Sequence, residues 1–81
     1  MSRVEIQDKV FEIARRLYEQ GPGFAQEGVV MQTVREEIHP RSLEDEQMIL
    51  SCWHHLFQEG KLAWGYNLDN PTAPWFHFPK A

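Results

Sequence analysis

The sequence predicts a mainly α protein of the α+β class, a three-helix bundle closed by a C-terminal β-hairpin. Three observations predict it. Apolar residues recur at helical spacing in three segments, each bounded by capping or breaking residues. After Gly60 the apolar period changes from 3.6 to 2, and turn residues then separate two aromatic runs. Finally, three helices alone cannot bury Trp64, Tyr66, Trp75, Phe76 and Phe78, so the hairpin must fold back on them. The 81 residues allow one domain, 1–81, with helices over about residues 3–20, 29–38 and 43–59 and a hairpin over about 61–78. A chain this short buries only about 60–65% of its unfolded surface. Its ten aromatics, three of them Trp, supply the bulk such a core needs.

The first helix opens on Ser2, an N-cap with Glu5 three residues later. Ile6, Val10, Ile13, Ala14 and Leu17 form its apolar stripe, which Phe11 and Tyr18 widen. Glu5–Lys9 and Glu12–Arg16 are i,i+4 pairs in the favourable order. Gly21-Pro22-Gly23 ends the helix, because Gly suits the C′ position and Pro cannot continue the ladder. Phe24-Ala25-Gln26 reads as a short extended piece or a loop anchored by Phe24. Val30, Val34 and Ile38, with Met31 beside them, predict a second, shorter helix that Pro40 stops.

The third helix has the strongest signals. Ser42 is an N-cap, and Glu44, Asp45 and Glu46 fill the first turn, where carboxylates favour the helix dipole. Ile49, Leu50, Trp53, Leu56 and Phe57 form its apolar face, and Gly60 is the C′ residue. Leu62, Trp64 and Tyr66 then alternate as a strand. Residues 68–74, rich in Asn, Asp and Pro, read as a turn, and Trp75-Phe76-His77-Phe78 as the returning strand. On that strand Phe76 and Phe78 share one face and Trp75 and His77 the other.

This order of elements resembles the winged helix-turn-helix family. The run Leu56-Phe57-Gln58-Glu59-Gly60-Lys61-Leu62, a third helix ending on Gly and passing straight into a strand, carries the resemblance most specifically. The stretch from Gly65 through Pro71 and Pro74 to His77 is similar to the wing of winged-helix domains of poorly characterised bacterial proteins. The resemblance spans nearly the whole chain as architecture and roughly residues 56–78 as motif. It implies a winged helix, in which the third helix often enters the major groove of DNA. Its motif is structural, so it bears on fold far more than on function.

Charge argues against that use here. The chain carries a net −4. Residues 43–60 hold Glu44, Asp45, Glu46 and Glu59 and no Lys or Arg, so the acid is concentrated on the would-be reading helix. Duplex binding draws much of its affinity from Lys and Arg on phosphates, and three carboxylates at the leading turn oppose it. Only Arg35, Arg41 and Lys61 offer nearby backbone contacts. A homodimer pooling Arg3, Arg15 and Arg16 is an intermediate case. The first reading is therefore a protein-interaction module that self-associates, for instance as a homodimer, or docks onto a larger assembly. Its expected contacts are Glu44, Asp45 and Glu46 against a basic patch, with Trp64, Tyr66 and Trp75 as anchors. The second is a DNA-binding regulator using Arg35, Arg41 and Lys61.

Other chemistry finds little support. Cys52, His54 and His55 do not all project to one side of a helix, and no metal-ligand spacing appears. Cys52 is more simply a small buried side chain. There is no nucleophile–base signature, and Gly21-Pro22-Gly23 is a poor phosphate cradle because Pro lacks an N–H. No catalytic residue, metal or cofactor is expected. No apolar run nears the roughly 18 residues a membrane span needs, and the charged start lacks a signal peptide's apolar segment. A cytoplasmic location is the expectation.

Overall fold

The computed structural model describes residues 2–21, 24–67 and 70–78, and the side chains among them outside 66–75. Three helices, α1 (Arg3–Gln20), α2 (Glu27–Ile38) and α3 (Leu43–Gln58), are followed by strands β1 (Ala63–Asn67) and β2 (Asn70–His77). The strands pair antiparallel as a two-stranded sheet. The chain is thus mainly helical with a small C-terminal hairpin, the class its periodicity implies.

The helix ends follow local chemistry. Ser2 Oγ accepts the Glu5 N–H at 3.2 Å, a side-chain N-cap, and donates to the Glu5 carboxylate at 3.1 Å, so the carboxylate answers the hydroxyl and not the Ser2 N–H that a capping box would use. Gly21 takes φ +143°, a backbone angle that side chains disfavour. α2 begins at Glu27, earlier than the periodicity places it. A tertiary contact holds this earlier start, because the Glu27 carboxylate accepts from Trp53 Nε1 at 3.1 Å. At the other end His39 adopts a left-handed conformation, φ +57°, and its N–H reaches the Arg35 carbonyl. The following Pro40 disfavours a helical His39, so the chain turns here.

α3 closes with a Schellman motif. The Gly60 N–H reaches the Phe57 carbonyl at 3.2 Å and the Lys61 N–H reaches the Leu56 carbonyl at 3.0 Å, with Gly60 at φ +79°. This sharp exit drops Leu62 into the core, so Lys61 and Leu62 form a bend and β1 starts only at Ala63.

The segment expected as a turn, residues 68–74, is largely strand, since β2 starts at Asn70. Asn67 pairs with Asn70, whereas Gly65 pairs with Trp75, so the register shifts between them. Four residues of β2 therefore oppose one of β1. Pro71 and Pro74 have no N–H to give a ladder, which favours surplus residues in an irregular bulge over regular pairing.

The core lies where the three helices and the hairpin meet. Ile13, Val10, Val30, Val34, Cys52, Trp53, Leu56, Leu62 and Phe76 are fully buried or nearly so. Phe76 joins the hairpin to the helices. Its ring meets Trp53 edge-on at 5.4 Å and 89°. Its N–H donates to the Ala25 carbonyl at 3.1 Å. Ala25, and not the exposed Phe24, anchors the segment between α1 and α2.

Across the α1–α2 seam Glu37 accepts from Arg16 and lies 3.4 Å from Lys9. Burial pushes its carboxyl upward, but these two cations together outweigh it and hold the pKa below the ordinary carboxylate range. A lowered native pKa stabilises the fold above the unfolded value, and that stability is lost as pH falls through the native one. Glu37→Gln is therefore expected to cost about 0.5–1 kcal/mol at neutral pH, the scale of a surface ion pair. The two proteins should converge in acid. Urea melts across the acid range check this, and a difference that persists below the native pKa would contradict it.

Candidate functional site

The acidic turn is a built N-terminus. Ser42 Oγ accepts the Asp45 N–H at 3.1 Å, and the Asp45 carboxylate accepts the Arg41 N–H at 3.1 Å. Glu46 faces Arg35 of α2 at 3.5 Å. Of the three acids, only Glu44 has no polar partner among the described residues. Ser42→Ala should cost about 1 kcal/mol. For a domain of this size that lowers the melting temperature by roughly 4–8 °C, as read by circular dichroism.

Helical geometry turns one face of α3 outward. Ile49, Cys52, Trp53 and Leu56 face the core, which leaves Leu43, Gln47, Leu50, Ser51, His54 and Gln58 exposed on the opposite side. Leu43 is 69% exposed, and Leu50 lies two turns on. Leu50, expected in the buried face, belongs to this one. The outward face carries no Lys or Arg, and Glu44 borders it.

The aromatics divide by role. Trp53 is entirely buried and is a core residue. Trp64 is half-buried, stacked on Phe57 with centroids 4.4 Å apart and rings 9° from parallel. It extends the α3 surface onto the hairpin. The side chains of Tyr66 and Trp75 lie outside the described residues.

The three cations considered for DNA sit in separate surroundings. Arg35 is engaged by Glu46. Lys61 lies 3.3 Å from Glu59 and 5.8 Å from the Phe11 ring centre. Arg41 lines an open depression of about 340 Å³ with Ile6, Ile38, His39, Asp45 and Ile49. Of the cations that a dimer was to pool, Arg16 is bound to Glu37 and Arg3 donates to Ser51 at 3.0 Å. Arg15 is left, lying over the Phe11 and Phe78 rings at 5.2 and 5.6 Å.

Cys52 of α3 and Glu59 at its end serve the fold. The Cys52 thiol is buried, 3.8 Å from the Arg3 carbonyl, and burial raises its pKa more than the Arg3 charge lowers it. Such a thiol is a poor nucleophile. Burial raises Glu59, but Lys61 and His55 beside it prevail and hold its carboxyl below the usual range. Among the described residues no three His, Cys, Asp or Glu side chains gather as a metal site. No helix there is long and apolar enough to cross a membrane.

No family model matches the chain, and no curated protein or solved structure matches it significantly.

Proposed function

We propose that the chain is a small, non-enzymatic winged-helix module of protein–protein interaction, docking through the acidic start of α3, its outward face and the adjoining aromatic hairpin. One observation carries the reading. The face that a winged helix offers to DNA is here Leu43, Gln47, Leu50, Ser51, His54 and Gln58 beside Glu44, with no Lys or Arg of its own and Arg3 of α1 reaching its edge at Ser51. A phosphate backbone finds little counter-charge on such a surface. A protein partner finds exposed leucines for burial and a carboxylate rim for orientation. Trp64, already half-covered by Phe57, adds a rigid aromatic edge to it.

The test is capture from the native lysate by tagged wild type, set against Leu50→Asp and Glu44→Lys. Both positions are exposed, so neither change should disturb the fold. A partner retained by wild type and lost from both variants supports the reading. The opposing measurement is anisotropy with random-sequence duplex DNA at low salt. Binding that falls steeply with salt and weakens in Arg41→Ala and Lys61→Ala would reverse it in favour of a DNA-binding regulator.

A further inference from the structure

α1 carries a second stripe at the margin of the core, where Phe11 and Phe78 pack against it. Val4, Phe11 and Tyr18 recur every seven residues on the side away from Val10, Ile13 and Leu17. Val4 is 70% exposed, Tyr18 is 41% exposed, and Phe11 is half-buried between them. Phe78 of the C-terminal segment widens the stripe, meeting Phe11 at 5.5 Å and Tyr18 at 5.2 Å. A seven-residue apolar repeat on an exposed helix face supplies one of the two apolar rows by which helices pack on each other.

The charges beside the repeat identify that other helix. Asp8 and Arg15 are also seven residues apart, each four positions after an apolar member. Both are exposed, and neither has an ion-pair partner among the described residues. Arg15 is held on the stripe by the Phe11 and Phe78 rings. If a second α1 is laid antiparallel about Phe11, the pattern complements itself. Val4 comes level with Tyr18 of the second copy, and Phe11 meets its own counterpart. Asp8 falls within one residue of level with Arg15 of the second copy, a rise of about 1.5 Å. In antiparallel helix pairs, residues at this position face their own equivalents across the seam. Each Asp8 therefore meets an Arg15 on both sides of the two-fold axis. In a parallel pair this flank faces the opposite flank of the other helix, so Asp8 and Arg15 would not meet.

We propose that this stripe is the seam of a symmetric, antiparallel homodimer of the chain. It rests on the reading of the chain as an interaction module and adds a second surface, which leaves α3 and the hairpin free for another partner. The contact is isologous, so it closes at two copies.

Sedimentation equilibrium of the whole chain from micromolar to near-millimolar concentration tests it, with circular dichroism as a check on folding. Wild type should show a monomer–dimer equilibrium. Val4→Glu should abolish it, since Val4 has almost no intramolecular packing to lose. Asp8→Arg and Arg15→Asp should each weaken the dimer by about tenfold or more, because each places like charges opposite one another twice. The double exchange should recover most of that loss. A monomer at every concentration would overturn the proposal, as would a dimer unmoved by Asp8→Arg and Val4→Glu. A dimer broken instead by Leu50→Asp would also overturn it, while leaving the interaction-module reading intact through α3. Loss of partner capture with dimerisation intact would separate the two in the other direction.

Discussion

Phe76→Ala is expected to remove about 3–5 kcal/mol of stability, the usual cost of emptying a buried aromatic site. A domain of this length has roughly 4–12 kcal/mol to lose. The variant should therefore lose at least about a quarter of its stability, with the helical circular dichroism and the hairpin signal melting together at a lower temperature. The expectation rests on Phe76 being shared. It is fully buried, its ring abuts Trp53, and it lies 6.3 Å from Tyr18 of α1. Its backbone N–H also ties β2 to Ala25 between α1 and α2. Phe76→Leu, which refills most of the volume, should retain a cooperative transition at a lower urea midpoint. A hairpin that merely hung from the bundle would behave otherwise. Phe76→Ala would then cost under about 1 kcal/mol and leave the helical signal intact, and that outcome would refute the shared core.

Much of this core is legible in the sequence, because its signals are local. Ser2 with Glu5 and Ser42 with Asp45 mark helix starts within four residues, and Gly21 and Gly60 mark the ends. The buried residues Ile6, Val10, Ile13, Ala14 and Leu17 are the ones the spacing selects. The alternation that pairs Phe76 with Phe78 against His77 survives too, with Phe76 buried and His77 exposed. What escaped depends on partners distant in sequence. α2 starts early because Glu27 reaches Trp53, 26 residues away. Residues 70–74 read as a turn because prolines usually make turns, yet Asn67 pairs with Asn70 and the prolines enter β2.

The candidate surfaces follow the same division. The acidity of Glu44, Asp45 and Glu46 is visible because the three are adjacent. That Asp45 is occupied by the Arg41 N–H and Glu46 by Arg35 is not. Leu50, Tyr18 and Phe11 fit the width of an apolar stripe, and periodicity alone assigns them to the core. Only the directions of packing show which edge of each stripe is covered. α3 is covered through Ile49, Cys52, Trp53 and Leu56, and α1 through Ile6, Val10, Ile13 and Leu17. The residues left over on each helix then form a surface of their own. A helical wheel contains this information, but it needs the second helix before it can be oriented.

Trp53→Ala should be the most damaging single change in α3. The indole is fully buried and makes edge-to-face contacts with Phe57 at 4.9 Å, Trp64 at 6.1 Å and Phe76 at 5.4 Å. Removing it empties a site lined by rings from helix and hairpin alike, at an expected cost of about 3–5 kcal/mol, a large share of the whole. Trp53→Phe separates the ring from its N–H. It keeps an aromatic in the site but removes the donor to Glu27, so it should cost less. The share belonging to the hydrogen bond is measurable by a double-mutant cycle with Glu27→Ala, read by urea denaturation. A bond to a charged acceptor contributes about 1.5–3 kcal/mol when well shielded. Glu27 is exposed, which brings the expected coupling nearer 1 kcal/mol. If the two changes were strictly additive, the early start of α2 would owe nothing to Trp53. The earlier start would then have to come from the preferences of Gln26, Glu27 and Gly28 themselves. Those preferences are poor, because Gln26 makes no side-chain cap and Gly disfavours a helix interior by about 1 kcal/mol relative to Ala.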